Sequence, residues 1–338
     1  MDAGSSRRDF IRRTLLGAFV GGLLSASGAR AASTSTAAEP RPVDRRQLGR
    51  TGAEVSILGL GLGSAFMEGY SSNLGAGHAL LESALALGIN YWDTARSYGP
   101  SEAMIAPVLA RHRNRVFLAS KSDARDYDGF RRDLERSLQV LRTDHIDLYQ
   151  LHDLRRHEWA NLSAIESGAV RAAREAKGQK VIGAFGITGH AGAEMLIECI
   201  KRFDPDTVLT TFPCTRPDQG RYEDELLPVA RTRKMGVIAM KTIRYAREAK
   251  LPARELLRYA LSLEGVTTAI VGLDSLVHLN ENARVASGFQ PLKEGHRAEL
   301  FESARRALAG VPAPWDYADY VDGSPFSRGR PPAARSGA

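Results

Sequence analysis

Four polar side chains at the predicted ends of strands have the chemistry needed to reduce a carbonyl group. Asp93 closes one apolar segment and Tyr98 follows it, Lys121 closes the next segment, and His152 closes the one after that. Singly, Asp93 could be a helix-capping carboxylate and His152 a core histidine bonded to the backbone. Because all four follow neighbouring strands, we predict that they gather at one site.

Hydride delivered by a nicotinamide to a carbonyl carbon leaves negative charge on the oxygen, and an acid must supply a proton there. Tyr98 suits this role because a phenol, with a pKa of about 10, keeps its proton at neutral pH. The ammonium of Lys121 would lower that pKa, and the carboxylate of Asp93 would hold the ammonium charged and in place. His152 would donate a hydrogen bond to the carbonyl oxygen and so orient the substrate.

The chain that positions these residues alternates between buried strands and amphipathic helices. Apolar residues recur at helical spacing between the strands, as at Leu134, Leu138 and Leu141. Eight successive strand and helix units predict an α/β fold, a closed (β/α)8 TIM barrel, with its site at the carboxyl ends of the strands. A small hairpin is predicted over residues 46–55. The predicted barrel strands are 56–61, 89–93, 115–121, 146–152, 181–188, 207–212, 236–240 and 268–272.

A doubly wound nucleotide-binding fold is the main rival, because the glycine-rich turn at residues 59–63 follows an apolar run. The dinucleotide fingerprint would need a further glycine at Ser64 or Phe66, and we predict that the next helix begins near Ala76. We therefore interpret the turn as the end of the first barrel strand.

The first residues have the pattern of a twin-arginine export signal. Arg7 and Arg8 precede an apolar run over residues 14–25, and small residues at 29–31 supply a cleavage site. We predict a signal peptide over 1–31, a flexible linker over 32–44, the barrel over 45–312 and a tail over 313–338. The twin-arginine export machinery is then a partner, the location is periplasmic or extracytoplasmic, and no stable membrane span remains after cleavage. An uncleaved anchor or a soluble amphipathic start is the alternative.

Composition argues against a disordered or fibrous protein. Apolar residues make up 43% of the chain and charged residues 25%, as in ordinary globular proteins. The formal net charge of +7 lies partly in the leader, so no nucleic-acid partner is predicted. Cys199 and Cys214 lack metal-binding spacing, and we predict no metal site. Two buried free thiols are favoured over a disulfide between them.

The motifs resemble those of the aldo/keto reductase family over residues 46–286. Residues 88–102 match the family's Asp-Thr-Ala…Tyr-Gly…Glu element, Lys121 matches its lysine strand, and residues 134–152 match its longest signature. The resemblance implies a barrel that binds NADP(H) across its mouth. It also implies that Tyr98 is the proton donor, with Asp93, Lys121 and His152 in the roles described above.

The same resemblance implies a set of cofactor contacts. Thr188 would supply a hydroxyl to the carboxamide, Met240 would pack against the nicotinamide, and Lys241 would meet the pyrophosphate. Gly272 and His278 stand where relatives place the cations that hold a 2′-phosphate, so the cofactor is NADP(H) or NAD(H). Gly189 stands where relatives have an Asn. The predicted cofactor residues are Asp93, Thr188, Met240, Lys241, Gly272, Asp274, His278, Glu281 and Asn282.

The predicted activity is reduction of an aldehyde or ketone, a small-molecule carbonyl substrate, by a nicotinamide-dependent oxidoreductase. The alternative is an exported nicotinamide-binding redox sensor or binding protein with little turnover. An isomerase on the same barrel would need a phosphate-binding loop and a carboxylate base, and neither is evident. Residues 314–320 are interpreted as a surface strap in preference to a pocket wall. Residues 159–168 are predicted to be a loop leading into a helix, and 327–338 to be disordered.

Overall fold

The computed structural model of the chain describes residues 41–190, 192–212, 222–244, 246, 250–317 and 320–323. The predicted signal peptide, the linker up to residue 40, Cys214 and the predicted disordered residues 327–338 lie outside this described part. Within it, the helices are α1 Ser64–Tyr70, α2 Leu74–Ala86, α3 Ser101–His112, α4 Tyr127–Leu141, α5 Leu162–Ile165, α6 Arg171–Gly178, α7 Ala193–Phe203, α8 Leu227–Thr232, α9 Ala253–Ser262, α10 Leu276–Ala286 and α11 Glu294–Ala307.

Eight parallel strands close into a barrel, in which each strand pairs with the next along the chain and the last pairs with the first. The predicted (β/α)8 barrel is therefore confirmed. The barrel strands are β3 Leu58–Gly61, β4 Tyr91–Asp93, β5 Phe117–Ser122, β6 Ile146–Leu154, β7 Ile182–Gly189, β8 Thr207–Thr211, β9 Gly236–Met240 and β10 Val266–Gly272. Nearly every strand residue is buried, because the helices cover the outside of the barrel and side chains fill its inside.

The predicted hairpin is confirmed as an antiparallel pair of β1 Arg45–Gln47 and β2 Glu54–Ser56. Leu48 and Val55 from this hairpin are fully buried and belong to the same apolar cluster as the barrel residues Tyr91, Phe117 and Ile238. The hairpin thus closes the amino-terminal end of the barrel. This leaves the carboxyl ends of the strands as the end at which a site can open.

Three local predictions differ from the structure. The helix after the glycine turn begins at Ser64, as the short α1, and not near Ala76. Residues 159–168 are largely helical, since a 3₁₀ turn leads into α5 and a π-helical turn follows it. Val43, assigned to the flexible linker, is buried and its N–H donates to the carbonyl of Leu87 at 2.9 Å. In each case long-range packing orders a segment whose own sequence is polar or short.

Two further observations concern the cysteines and the membrane. Cys199 is a buried free thiol on α7, and burial raises its pKa to about 12, so the thiolate is disfavoured. Across the ranges described above, no helix combines the length and the apolar character that crossing a bilayer requires.

Candidate active site

The side chain of Lys121 organises the mouth of the barrel. Its Nζ donates to Asp93 Oδ1 at 2.6 Å, to the carbonyl oxygen of Thr94 at 2.8 Å and to the hydroxyl oxygen of Tyr98 at 3.1 Å. All three protons of the ammonium therefore have an acceptor. Asp93 and Lys121 come from the adjacent strands β4 and β5, and both are at most 1% exposed. The structure thus brings Asp93, Lys121 and Tyr98 together, as the sequence predicted.

The pKa of Tyr98 is shifted upwards, whereas the sequence predicted that Lys121 would shift it downwards. Burial raises the pKa of this phenol well above its ordinary value, and the carboxylates of Asp322 and Asp93 add to the rise. Burial also raises the pKa of Asp93, although the charge of Lys121 acts to lower it. Desolvation therefore outweighs the single nearby cation, and the phenol of Tyr98 stays protonated in this arrangement.

His152 lies between two carboxylates. Its Nδ1 is 2.9 Å from Asp123 Oδ1, and its Nε2 is 3.2 Å from Asp322 Oδ2. Burial acts to lower the pKa of His152, but hydrogen bonds to these two carboxylates raise it overall. The pKa of Asp123 falls to about 2, because the bond and charge of His152 overcome the opposing effect of its burial. The imidazolium form, with both nitrogens donating, is therefore favoured.

Asp322 was not predicted as a site residue, yet it lies at the centre of the mouth. Its Oδ2 accepts from the hydroxyl of Tyr98 at 3.3 Å, and its Oδ1 accepts from Lys241 Nζ at 2.5 Å. The hydroxyl of Tyr320 donates to the same Oδ1 at 2.5 Å. Tyr320 and Asp322 are each 4% exposed, so the interpretation of the tail as a surface strap was wrong.

A cavity of about 230 Å³ opens beside these groups at the ends of β3, β9 and β10. Predicted site residues that line it are Asp93, Tyr98, Met240, Lys241 and Gly272. A larger groove of about 650 Å³, which runs along the hairpin at the other end of the barrel, shares no lining residue with it.

The walls of the mouth cavity combine closely packed glycines with a polar group. A Cβ on Gly272 would lie 3.1 Å from the Cβ of Ala65, and one on Gly61 would lie 3.2 Å from the backbone nitrogen of Gly272, so a side chain at either position would crowd its neighbours. Thr242 lines the cavity with a buried hydroxyl that has no hydrogen-bond partner among the described residues. These features fit the nicotinamide end of a dinucleotide with a hydrogen-bonding group near Thr242.

The remaining predicted cofactor residues lie away from this cavity. Thr188 is buried, and its hydroxyl accepts from the backbone N–H of Asp153 at 2.8 Å. Asp274, two residues before α10, pairs with His278 of the first turn at 2.6 Å, and both side chains are exposed. On the same helix, Glu281 is exposed and Asn282 is buried.

Sequence reasoning missed Asp123 and Asp322. Asp123 follows Lys121 by two residues at the end of β5, so its place at the mouth could have been inferred from the strand. Nothing in the local sequence of Asp322 indicates a site, because its position depends on how the tail folds back.

The family of the chain follows from a comparison with known proteins. Residues 58–245, more than half of the chain, match the model of the aldo/keto reductase family. The chain belongs to this family. As an aldo/keto reductase it is an oxidoreductase, and members of the family generally use nicotinamide cofactors and act on carbonyl compounds.

Individual relatives of this aldo/keto reductase are distant. The uncharacterized oxidoreductase YqkF of Bacillus subtilis is 28% identical over 212 residues, which are 58% of this chain and 63% of YqkF, just under two thirds of its length. L-galactose dehydrogenase of Arabidopsis thaliana is 25% identical over 295 residues, covering 74% of this chain and 90% of the relative. A solved Pseudomonas aeruginosa protein, assigned provisionally to the aldo-keto reductases, is 28% identical with a TM-score of 0.62, covering 72% of this chain and 94% of that one.

Proposed function

We propose that this aldo/keto reductase reduces an aldehyde or ketone to an alcohol with NADPH or NADH, and that Tyr98 donates the proton. The observation that carries the proposal is the contact of Lys121 Nζ with both Asp93 and the hydroxyl of Tyr98, beside the mouth cavity. A buried ammonium can hold a phenol in position to donate its proton to an oxygen on which negative charge develops.

The chain's own residues supply the proton and the polarity of the site. When bound, the cofactor supplies the hydride to the carbonyl carbon. The hydroxyl of Tyr98 gives its proton to the carbonyl oxygen, and the hydrogen bond from Lys121 stabilises the phenolate left behind. Nε2 of His152 donates a hydrogen bond to the same oxygen and holds it next to Tyr98. One hydride and one proton are thereby added across the C=O bond.

Residues around the mouth would hold the two ends of the dinucleotide. Met240 and Gly272, with Asp93 behind them, would bound the nicotinamide, and Lys241 would meet the pyrophosphate. Thr188, which the family resemblance assigns to the carboxamide, is fully buried and does not line the cavity, and its hydroxyl contacts the backbone N–H of Asp153. The adenosine end would lie along α10, with contacts to Asp274, His278, Glu281 and Asn282. An exposed His278 offers weaker support to a 2′-phosphate than an Arg, so NADH competes with NADPH as the cofactor.

Nicotinamide binding and turnover test this function together. The chain should quench the fluorescence of NADPH or NADH on titration, and should oxidise the bound cofactor when an aldehyde is added. Methylglyoxal and a panel of sugar aldehydes are suitable first substrates, since relatives include a methylglyoxal reductase and L-galactose dehydrogenase. Absence of binding for both dinucleotides would overturn the proposal.

A second candidate is a nicotinamide-binding sensor with little turnover. One observation favours it: Asp322 already accepts hydrogen bonds from both Tyr98 and His152, the two groups that would otherwise bind the substrate oxygen. Single-turnover and steady-state rates discriminate the two functions. Hydride transfer in a single turnover with no measurable steady-state rate would support the sensor, and continuous turnover would support the reductase.

We also propose that residues 1–31 export the folded chain through the twin-arginine pathway to the periplasm, in keeping with the Arg7-Arg8 pair ahead of an apolar run. When the full-length chain is expressed, cell fractionation should find the protein in the periplasm. The variant Arg7→Lys/Arg8→Lys should remain in the cytoplasm. Equal periplasmic recovery of the double variant would refute the export route.

A further inference from the structure

The carboxylate of Asp322 has the contacts that a substrate carbonyl oxygen would need. Its Oδ2 lies 3.3 Å from the hydroxyl of Tyr98 and 3.2 Å from Nε2 of His152. In the proposed reaction these two groups donate to the same oxygen of the substrate. The two donors cannot serve a second oxygen while Asp322 stays in place, so the carboxylate and the substrate compete for them.

The other oxygen of Asp322 is held by a cation. Lys241 Nζ lies 2.5 Å from Oδ1, and this charge and the hydrogen bond from His152 lower the pKa of Asp322 far below its ordinary value in spite of its burial. Asp322 is therefore a carboxylate and accepts at both oxygens. Such charge-assisted bonds in a buried setting are stronger than neutral ones.

The neighbouring residue is also adapted to this position. Gly323 has a φ of 71°, and a Cβ built on it would run into the ring of Tyr98. It lines the mouth cavity together with Asp322. The backbone thus lies directly against the phenol, which only a glycine permits. Arg155 fixes the approach of the tail, because its Nη2 donates to the carbonyl of Tyr320 at 2.7 Å.

We propose that Asp322 is an intramolecular ligand that occupies the hydrogen-bond donors of Tyr98 and His152, and that a carbonyl substrate binds only after this carboxylate has left. The proposal rests on the proposed function for its effect on turnover, but the occupation of the two donors by Asp322 does not depend on turnover. Once vacated, the site takes small monocarboxylates, because Tyr98 and His152 remain as donors. Free carboxylates are then competitive inhibitors of reduction.

The variant Asp322→Ala tests this inference, with acetate as the probe. We expect kcat/KM for the neutral substrate 4-nitrobenzaldehyde to rise about tenfold or more, because the loss of a charge-assisted ligand frees the two donors. Acetate should inhibit Asp322→Ala competitively with the aldehyde and should inhibit the parent chain far less. Titration calorimetry without aldehyde should detect acetate binding to the variant and not to the parent.

Two further variants guard against a change caused by altered folding. Gly323→Ala keeps Asp322, but its methyl group would collide with the ring of Tyr98 and so disfavour the position of the tail that places Asp322 at the mouth. This variant should therefore also raise kcat/KM. Asp144→Asn removes a carboxylate that is 95% exposed on the loop between α4 and β6, at the opposite end of the barrel, and should change neither quantity.

The outcomes separate this inference from the proposed function. Acetate binding to Asp322→Ala without any aldehyde reduction would support the carboxylate site and contradict the reductase. Reduction by both chains with equal kcat/KM, together with equal acetate affinity in calorimetry, would overturn the inference and leave the reductase intact.

Discussion

The variant Tyr98→Phe is expected to reduce aldehydes at least about a hundredfold more slowly than the parent chain, with unchanged affinity for the dinucleotide. The phenol contacts Lys121 at 3.1 Å, lines the mouth cavity and carries a proton that it can donate. Phenylalanine keeps the ring and its packing but has no proton to give. The loss should therefore fall on kcat, and fluorescence titration with NADPH and NADH should give the parent's dissociation constants.

Tyr149→Phe is the matched control for this prediction. Tyr149 is also fully buried, and its hydroxyl contacts Ser137 at 3.3 Å on the outer side of the barrel. Its loss removes a buried hydroxyl without touching the mouth, so kcat should stay near the parent's value. Unchanged turnover in Tyr98→Phe would show that another group donates the proton.

Replacing Lys121 by Met is expected to lower the free energy of unfolding by about 3–5 kcal/mol and to remove most of the activity. Lys121 and Asp93 form an ion pair at 2.6 Å, with both side chains 1% exposed. Among the described residues, methionine would leave the buried carboxyl of Asp93 with a single side-chain hydrogen bond, the long one of 3.4 Å from Gln150. Chemical denaturation at pH 7, with the reductase rate measured in parallel, checks both effects.

The pH dependence of this loss has a definite sign. Burial already raises the pKa of Asp93 above its ordinary value, and removal of the cation raises it further. When the pKa of a carboxyl is raised in the folded state, burying it costs no stability below its unfolded pKa of about 4, where it is protonated in both states. The free energy of unfolding then falls as the pH rises through the pKa of the folded state. The stability deficit of Lys121→Met should therefore be smaller at pH 4 than at pH 7.

The double variant Asp93→Asn/Lys121→Met separates stability from chemistry. A neutral amide at position 93 needs no cation, so most of the lost stability should return and its dependence on pH should flatten. Activity should not return, because the ammonium that orients Tyr98 is still missing. A single variant as stable as the parent at pH 7 would contradict the view that Asp93 depends on Lys121.

Much of the fold could be predicted from the sequence because each barrel unit carries its own signal. The apolar runs that form β4, β5 and β6 end in Asp93, Lys121 and His152 or just beyond them, and parallel strands bring their carboxyl ends to one edge. Boundaries were less accurate, because the ends of short elements depend on neighbours. The helix α1 begins directly after the glycine turn, whereas the polar residues 71–73 led us to expect the first helix only near Ala76.

The site was predicted in part. The contact of Tyr98 with Lys121 follows from strand order, but the direction of its pKa shift does not. That direction depends on how completely the phenol is buried and on a carboxylate 224 residues away in sequence, Asp322. A pattern of residue types reports which groups approach each other, but it contains no measure of desolvation.

The sequence by itself determined the barrel, the hairpin that precedes it and the convergence of Asp93, Tyr98, Lys121 and His152, because these depend on local periodicity and on the order of strands. Only the tertiary structure decided what fills the mouth. The return of the tail to place Asp322 against Tyr98 depends on contacts with residues at the mouth of the closed barrel, such as the hydrogen bond from Arg155 to the carbonyl of Tyr320. Such contacts join residues far apart in sequence, and their energy comes from burial and charge at a surface that the folded barrel creates.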